Sequence, residues 1–165
     1  MSRYTRRPSE ERALLNPSFC SCLIWQAASG HREASQQPLP FELSFLILPI
    51  VLHRATRDAL PASVRTSLAV WMTDNPLARS RVADRAQILV QFTKDALMFG
   101  GLHGMLAFQA GALTANPDWK KAITAEIKDS TEEVRFCMKR AEFVGKWLGS
   151  AGSSGTVMSI FGVRP

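Results

Sequence analysis

The chain has 165 residues, of which 46% are hydrophobic, and a formal net charge of +6. This length and hydrophobic fraction are typical of one globular domain with its own core. The positive charge fits an acidic protein partner or a nucleic-acid backbone. Three cysteines, at positions 20, 22 and 137, do not amount to a disulfide framework, and the three histidines fit no zinc-binding spacing.

Nothing in the sequence predicts a membrane protein. The N-terminal residues MSRYTRRPSEERALL are charged and lack the apolar core of a signal peptide. The longest apolar run, over 39–52, is too short to span a bilayer and carries Glu42 near its start. We therefore expect a cytoplasmic protein that does not contact a membrane.

The first predicted elements are a polar arm over 1–13 and a helix that follows it. Asn16 and Pro17 favour a helix start, because asparagine is a strong N-cap and proline is favoured in the first helical position. The sequence predicts that this helix covers 17–28 and ends near Gly30.

The next predicted element, over 41–59, is apolar on every side for about three turns. Such a segment must be buried, either as the central helix of the core or beneath another protein. Pro49 lies inside it and removes one backbone hydrogen bond. The favoured prediction is a helix that is kinked at Pro49; the alternative is an extended stretch over 42–48 that leads into a helix.

A short helix is predicted over 64–73, with Ser63 as its cap, and a long helix from an Asn-Pro pair to about Phe99. Two apolar runs around Ala110 and Gly111 then predict a small hairpin. Helices followed by a hairpin also fit the order of a winged helix-turn-helix domain. The predicted fold is therefore a compact, mainly α domain with one β-hairpin, open to a winged-helix interpretation.

The C-terminal third is predicted to contain a polar linker from Asn116, a last long helix and an apolar tail. Ser130 and Glu133 form a capping-box pattern at the start of that helix. A flexible Gly/Ser link then leads to the tail, which either folds back on its own domain or docks into a groove of another protein. The predicted division is a polar arm over 1–13, a helical domain over 14–149, and a link with tail over 150–165.

No set of residues predicts catalysis. The available nucleophiles are Cys20 and Cys22, with His53 as their possible base. Both thiols lie in an apolar helix, and no cluster of cations beyond Arg32 is near enough to lower a thiol pKa. The glycines form no phosphate-binding loop, and the carboxylates show no metal-binding pairing. We expect a protein that is not an enzyme, with no catalytic residue, cofactor or metal.

Two sets of residues are candidates for binding. Arg54, Arg57 and Arg65 flank the turn between the second and third predicted helices, where they either contact phosphates or form a solvated helix end. Trp119 lies beside two lysines and is either an interface anchor or ordinary packing. The candidate partner-binding residues are Trp119, Ile160, Phe161, Val163 and Arg164.

Several phrases together are similar to one family. They are LLNPSFCSCLIWQA, LPFELSFLILPIVLHRATRDALP, VRTSLAVWMTDNP, EVRFCMKRAEFVGKWLGSAG and the terminal FGVRP. Over 14–165 the chain resembles the small middle component of three-component ABC systems in bacterial conflict loci, including Lamassu-type defence systems. The likeness rests on the order and spacing of these phrases, since none of them is a catalytic signature.

The resemblance implies a non-catalytic adaptor subunit of an anti-phage or anti-plasmid defence complex. It would bridge an SMC/Rad50-like ABC ATPase and an effector protein such as a nuclease, and DNA would reach it through the complex. The alternative is a stand-alone, winged-helix-like DNA-binding module that contacts phosphates through Arg54, Arg57 and Arg65.

Overall fold

The computed structural model describes residues 13–164, so the predicted polar arm lies almost entirely outside the described residues. The helices and strands, in chain order, are α1 (Pro17–Ser35), β1 (Leu39–Pro40), α2 (Ser44–Val51), α3 (Arg54–Asp58), α4 (Leu68–Asp74), α5 (Ala78–Leu102), β2 (Leu106–Gln109), β3 (Ala112–Ala115), α6 (Lys120–Asp129), α7 (Glu132–Gly149) and α8 (Ser154–Phe161). Two 3-10 turns, Phe41–Leu43 and Pro117–Trp119, join some of these elements. The predicted mainly α domain is thus confirmed.

The apolar segment after residue 39 forms the centre of the core. α2 packs against α1, α5 and α7, and seven of its eight residues are buried. Leu46, Ile47 and Ile50 are completely buried. Of the two explanations for this all-round apolar helix, burial within its own domain is the one that the structure shows.

Pro49 lies inside α2, so the favoured interpretation of this segment as helical is confirmed. Its predicted extent over 41–59 is wrong. The helix ends at Val51, and a second short helix, α3, begins after His53, whose side chain accepts a hydrogen bond from the Thr56 backbone N–H. The His53 side chain caps the start of a new helix, which explains why α2 ends here although the apolar pattern continues up to Leu52.

The other helix bounds differ from the predictions for local reasons. α1 continues past Gly30 to Ser35, where Gln36 ends it in the left-handed conformation at φ 59°. Ser67, and not Ser63, caps α4. The predicted polar linker after Asn116 contains α6, and Thr131, one residue after the predicted Ser130, caps α7.

The predicted hairpin is confirmed, and it belongs to a slightly larger sheet. Ala110 and Gly111 both have positive φ, at 50° and 74°, as a two-residue type I′ hairpin turn requires. β3 pairs antiparallel with β2 and, on its other side, with the two-residue strand β1, which gives the order β1-β3-β2. The sheet packs on α1 through β3, so the hairpin is joined to the helical core.

The C-terminal tail folds back on its own domain. Ser153 caps α8, and Gly162 ends it with φ 69°. Val157 and Phe161 are completely buried, and Met158 is 3% exposed. Three of the eight residues of α8 therefore belong to the core.

Candidate functional site

The thiols of Cys20 and Cys22, the nucleophiles available in the sequence, are held in their neutral form. Burial raises the pKa of the Cys20 thiol to about 12 and that of the Cys22 thiol to about 11. The thiolate is the nucleophilic form, so neither side chain is activated at neutral pH. The His53 ring caps α3, with Nδ1 2.7 Å from the hydroxyl oxygen of Thr56. The His53 ring therefore has a structural role as the cap of α3.

Arg57, one of the three predicted phosphate contacts, is inside the protein. Its side chain is 4% exposed, and its guanidinium donates to the Val51 carbonyl at 2.9 Å, to the Cys137 sulfur at 3.2 Å and to the Glu133 carboxylate at 3.0 Å. These bonds tie the end of α2 and the short helix α3 to α7. The structure therefore gives Arg57 a packing role.

The other two predicted phosphate contacts lie on the surface. The side chain of Arg54 is 81% exposed and forms an ion pair with Asp58, one turn further along α3, at 3.7 Å. Arg65 is exposed in the connection before α4. Arg54 and Arg65 are therefore accessible to a phosphate in solution, whereas Arg57 is buried.

Three of the four tryptophans are core residues whose indole groups hold loops against the domain. The indole N–H groups of Trp25, Trp71 and Trp147 donate to the carbonyls of Asn116, Ala59 and Thr66 at 2.7–3.0 Å. Trp71 and Trp147 also meet edge to face, with their ring centroids 5.3 Å apart.

Trp119, the fourth tryptophan, is half-buried at the start of α6. It lines a groove of about 850 Å³ between the beginning of α1, α6 and α7. Ala13 and Leu14, where the described residues begin, line the same groove. The predicted role of Trp119 as an interface anchor stays a prediction.

The predicted partner-binding residues of the tail lie in two different places. Phe161 is completely buried, and Ile160 faces a small depression that it shares with Trp147 and Val64. Val163 and Arg164, which follow α8, line a separate groove beside α5. The tail therefore contributes Met158 and residues 162–164 to this second surface.

We name that surface the α5 groove. It has a volume of about 610 Å³. One wall is formed by Phe41, Glu42 and Phe45, the α5 side carries Ala83, Ala86, Gln87, Val90 and Lys94, and the other wall is formed by Met158 and residues 162–164. Most of these side chains are apolar, as in sites that bind protein segments or small molecules.

The apolar surface continues past the α5 groove toward the hairpin. The Phe41 ring lies 5.5 Å from the Phe45 ring and 6.3 Å from the Phe108 ring, measured between centroids. Phe41 is 40% exposed and Phe108 is 47% exposed. The Phe108 ring packs over Gly101, where an added Cβ would stand 3.0 Å from its Cε2 atom. The half-buried Phe45 and the exposed Phe41 and Phe108 form a row that leads from the α5 groove to the end of α5.

The charges around the α5 groove are mostly positive. Lys94 and Arg164 are exposed in its lining and form no ion pair with a described residue. The Arg79 guanidinium packs against Gly162 of the same wall. The one carboxylate of the lining, that of Glu42, accepts a hydrogen bond from the Ser154 hydroxyl. The groove is thus apolar inside, with cations at its rim that no described carboxylate pairs with.

The sequence did not identify the main residues of the α5 groove. Phe41 and Phe45 belong to an apolar segment in which all side chains look alike, and Val90 lies on a helix with a regular core stripe. Only the three-dimensional arrangement shows that their side chains meet the tail. The relevant signal in the sequence was the apolar tail itself, of which Val163 and Arg164 do line the groove.

Within the described part of the chain, no helix combines the length and the apolar character needed to cross a membrane. Comparison with protein-family models matches residues 4–165 to one described as ABC-three component (ABC-3C) system Middle Component 3. Comparisons with curated proteins and with solved structures find no match.

Proposed function

The chain belongs to the Middle Component 3 family of ABC-three component systems, and we propose that it is a non-catalytic adaptor between the other two components of its system. The observation that carries the proposal is the family match over 162 of the 165 residues, counted from position 4 to position 165. An adaptor works through surfaces and needs no reactive group, which agrees with the raised pKa values of Cys20 and Cys22.

The proposed partners are an SMC/Rad50-like ABC ATPase and an effector such as a nuclease. In this proposal the system acts in the cytoplasm as a Lamassu-type defence against phages or plasmids. The ATPase senses aberrant DNA ends, and the adaptor couples it to the effector. The exposed apolar side chains beside the α5 groove support a role in assembly, because solvent-facing apolar patches mark protein interfaces.

The experiment is co-expression of the chain with the genes that neighbour it, purification through a tag at Met1, and measurement of the complex mass. We expect the ATPase and the effector to elute with the tagged chain. The bridging role also predicts a second result. When this chain is absent, a tagged ATPase should no longer retain the effector. An ATPase that retains the effector equally well without this chain would contradict the bridging role, and a chain that elutes alone would contradict the adaptor role altogether.

The same protein also tests the alternative of a stand-alone DNA-binding module. We expect the isolated chain to bind a short DNA duplex weakly at moderate salt, because Arg57 is committed to the core. Fluorescence anisotropy at several salt concentrations measures this. Tight binding that falls steeply with salt, and that Arg54→Ala and Arg65→Ala together abolish, would favour the DNA-binding module.

A further inference from the structure

We infer that the α5 groove binds an amphipathic helix from another component of the system, with acidic side chains next to its apolar face. This inference rests on the proposed function, since it assumes that the chain assembles with partner proteins. It adds the place on the chain and the chemistry of the segment that binds there.

The shape of the apolar surface favours a long segment over a small molecule. The surface starts at Ala83 in the α5 groove and continues to Gly101, beneath Phe108. These positions are 18 residues apart on one helix, which corresponds to about 27 Å at 1.5 Å per residue. A helix of about five turns would cover this length.

The secondary structure around the groove favours a helix over an extended strand. Its longest side is α5, whose backbone groups are already bonded within the helix, and the described residues that line the groove include none from a strand. A bound segment must therefore satisfy its own backbone hydrogen bonds and make contacts through side chains alone. A helix that lays its apolar face into a groove meets both conditions.

The charges at the rim indicate the sign of the partner. Lys94 and Arg164 lack a carboxylate partner among the described residues, and Arg79 lies beside the same wall. The nearest acidic residues of α5, Asp84 and Asp95, are offset by about 100° or more around the helix from Ala83, and the Asp95 carboxylate accepts a hydrogen bond from Gln91. A partner with carboxylates beside its apolar face would complement these cations.

The described residues at the two ends of the chain either lie outside the α5 groove or already form its wall. The C-terminal residues 162–164 form one wall of the α5 groove and cannot also fill it. At the other end, Ala13 and Leu14 line the separate groove beside Trp119. Among the described residues, neither end of the chain is left to fill the α5 groove, and the cations at its rim point to a segment from another protein.

The test uses the full chain, co-expressed with the other two components and tagged at Met1, in three variants. Val90→Glu places a charge inside the groove, and Lys94→Glu reverses a rim charge at an exposed position that the fold does not need. Ile88→Glu is the matched control, because Ile88 is 67% exposed on the same helix but outside the groove lining. The melting temperature of each variant shows whether it is folded.

We expect Val90→Glu to reduce the amount of one co-purified component about tenfold, and Lys94→Glu to reduce the same component about threefold. Ile88→Glu should retain it fully. In the wild-type complex, a carbodiimide should couple the Lys94 amine to a partner carboxylate, and mass spectrometry should place that carboxylate in a helix with one apolar face.

The outcomes separate this inference from the proposed function. If the wild-type chain elutes alone, the adaptor proposal fails first. If the wild-type complex forms and folded Val90→Glu and Lys94→Glu retain both components as well as Ile88→Glu does, the groove inference is overturned and the adaptor proposal stands. If the isolated chain is a dimer that Val90→Glu converts to a monomer, a second copy fills the groove, which also overturns the inference.

Discussion

Gly145 of α7 lies directly against the backbone of Ala27 of α1. A Cβ atom at position 145 would stand 2.8 Å from the Ala27 Cα and closer still to its carbonyl oxygen. Gly30 of α1 meets the backbone of Glu142 of α7 in the same way, with 3.2 Å from its would-be Cβ to the Glu142 carbonyl carbon. The two helices therefore cross with their backbones in contact, and glycine is required at both crossing points.

Gly145→Ala should lower the free energy of unfolding by about 3 kcal/mol, because the added methyl group must push the two backbones apart. Urea unfolding followed by circular dichroism measures this. Gly155→Ala is the matched control: Gly155 lies in α8 with nothing within 4 Å of its would-be Cβ, so alanine should raise the free energy of unfolding by about 0.5 kcal/mol through its better helix propensity. Equal stabilities of the two variants would contradict the close crossing.

This crossing also explains where the prediction of α1 failed. In the sequence, Gly30 predicts the end of the helix, because glycine is common just beyond helix C-termini. The structure uses it inside the helix for close approach, and sequence patterns near one glycine do not reveal which helix lies opposite. The elements that depend on local chemistry, such as the Asn16 cap and the hairpin turn at Ala110 and Gly111, could be predicted from the sequence.

Arg57→Ala should lower the free energy of unfolding by about 2 kcal/mol. The substitution removes the charged hydrogen bonds to Glu133 and to the Val51 carbonyl, and hydrogen bonds to charged groups contribute about 1.5–3 kcal/mol. Arg54→Ala, three residues earlier and largely exposed, should change the value by less than about 0.5 kcal/mol. Both values come from urea unfolding curves at pH 7. A loss for Arg54→Ala as large as that for Arg57→Ala would contradict the assignment of Arg57 to the core.

The arginines show how far the candidate site could be predicted. Their sequence neighbourhood placed Arg54 and Arg57 together at the end of the same helix, and the structure keeps them in α3. Arg54 and Arg57 are only three positions apart on α3, yet the Arg54 side chain is exposed and the Arg57 side chain is buried. The difference depends on α7, which supplies Glu133 and Cys137 from about 80 residues further along the chain. No local pattern contains that contact.

Phe161→Ala should lower the free energy of unfolding by about 4 kcal/mol, because it empties a site that is closed on all sides. Ile160 is half-buried beside it, and Ile160→Ala should cost only about 1 kcal/mol. Thermal unfolding of both variants next to the wild type gives the comparison. Similar small losses in both would indicate that the end of α8 is loosely packed and available to partners.

The stability of the fold should fall as the pH is lowered from 7.5 to 5.5, in part through His31. Burial lowers the pKa of His31 from its ordinary value of 6.5, and the backbone hydrogen bond to Gln37 offsets this only in part. The unfolded chain therefore binds a proton more readily than the folded chain does, and protonation favours unfolding. The loss begins as the pH falls through about 6.5, and it stops growing once the pH is below the folded pKa.

His31→Gln removes the titrating group and should flatten this part of the pH profile, even though it also lowers stability at pH 7.5 by disturbing the bonds to Gln37 and Ser35. Urea unfolding of both proteins at pH 7.5 and 5.5 gives the two differences. The His53 pKa is also lowered, by burial first and then by Arg85, Arg81 and Arg57, so the variant should keep a smaller slope of the same sign. A slope as steep as that of the wild type would show that His31 does not contribute, and its burial in α1 would then need to be reconsidered.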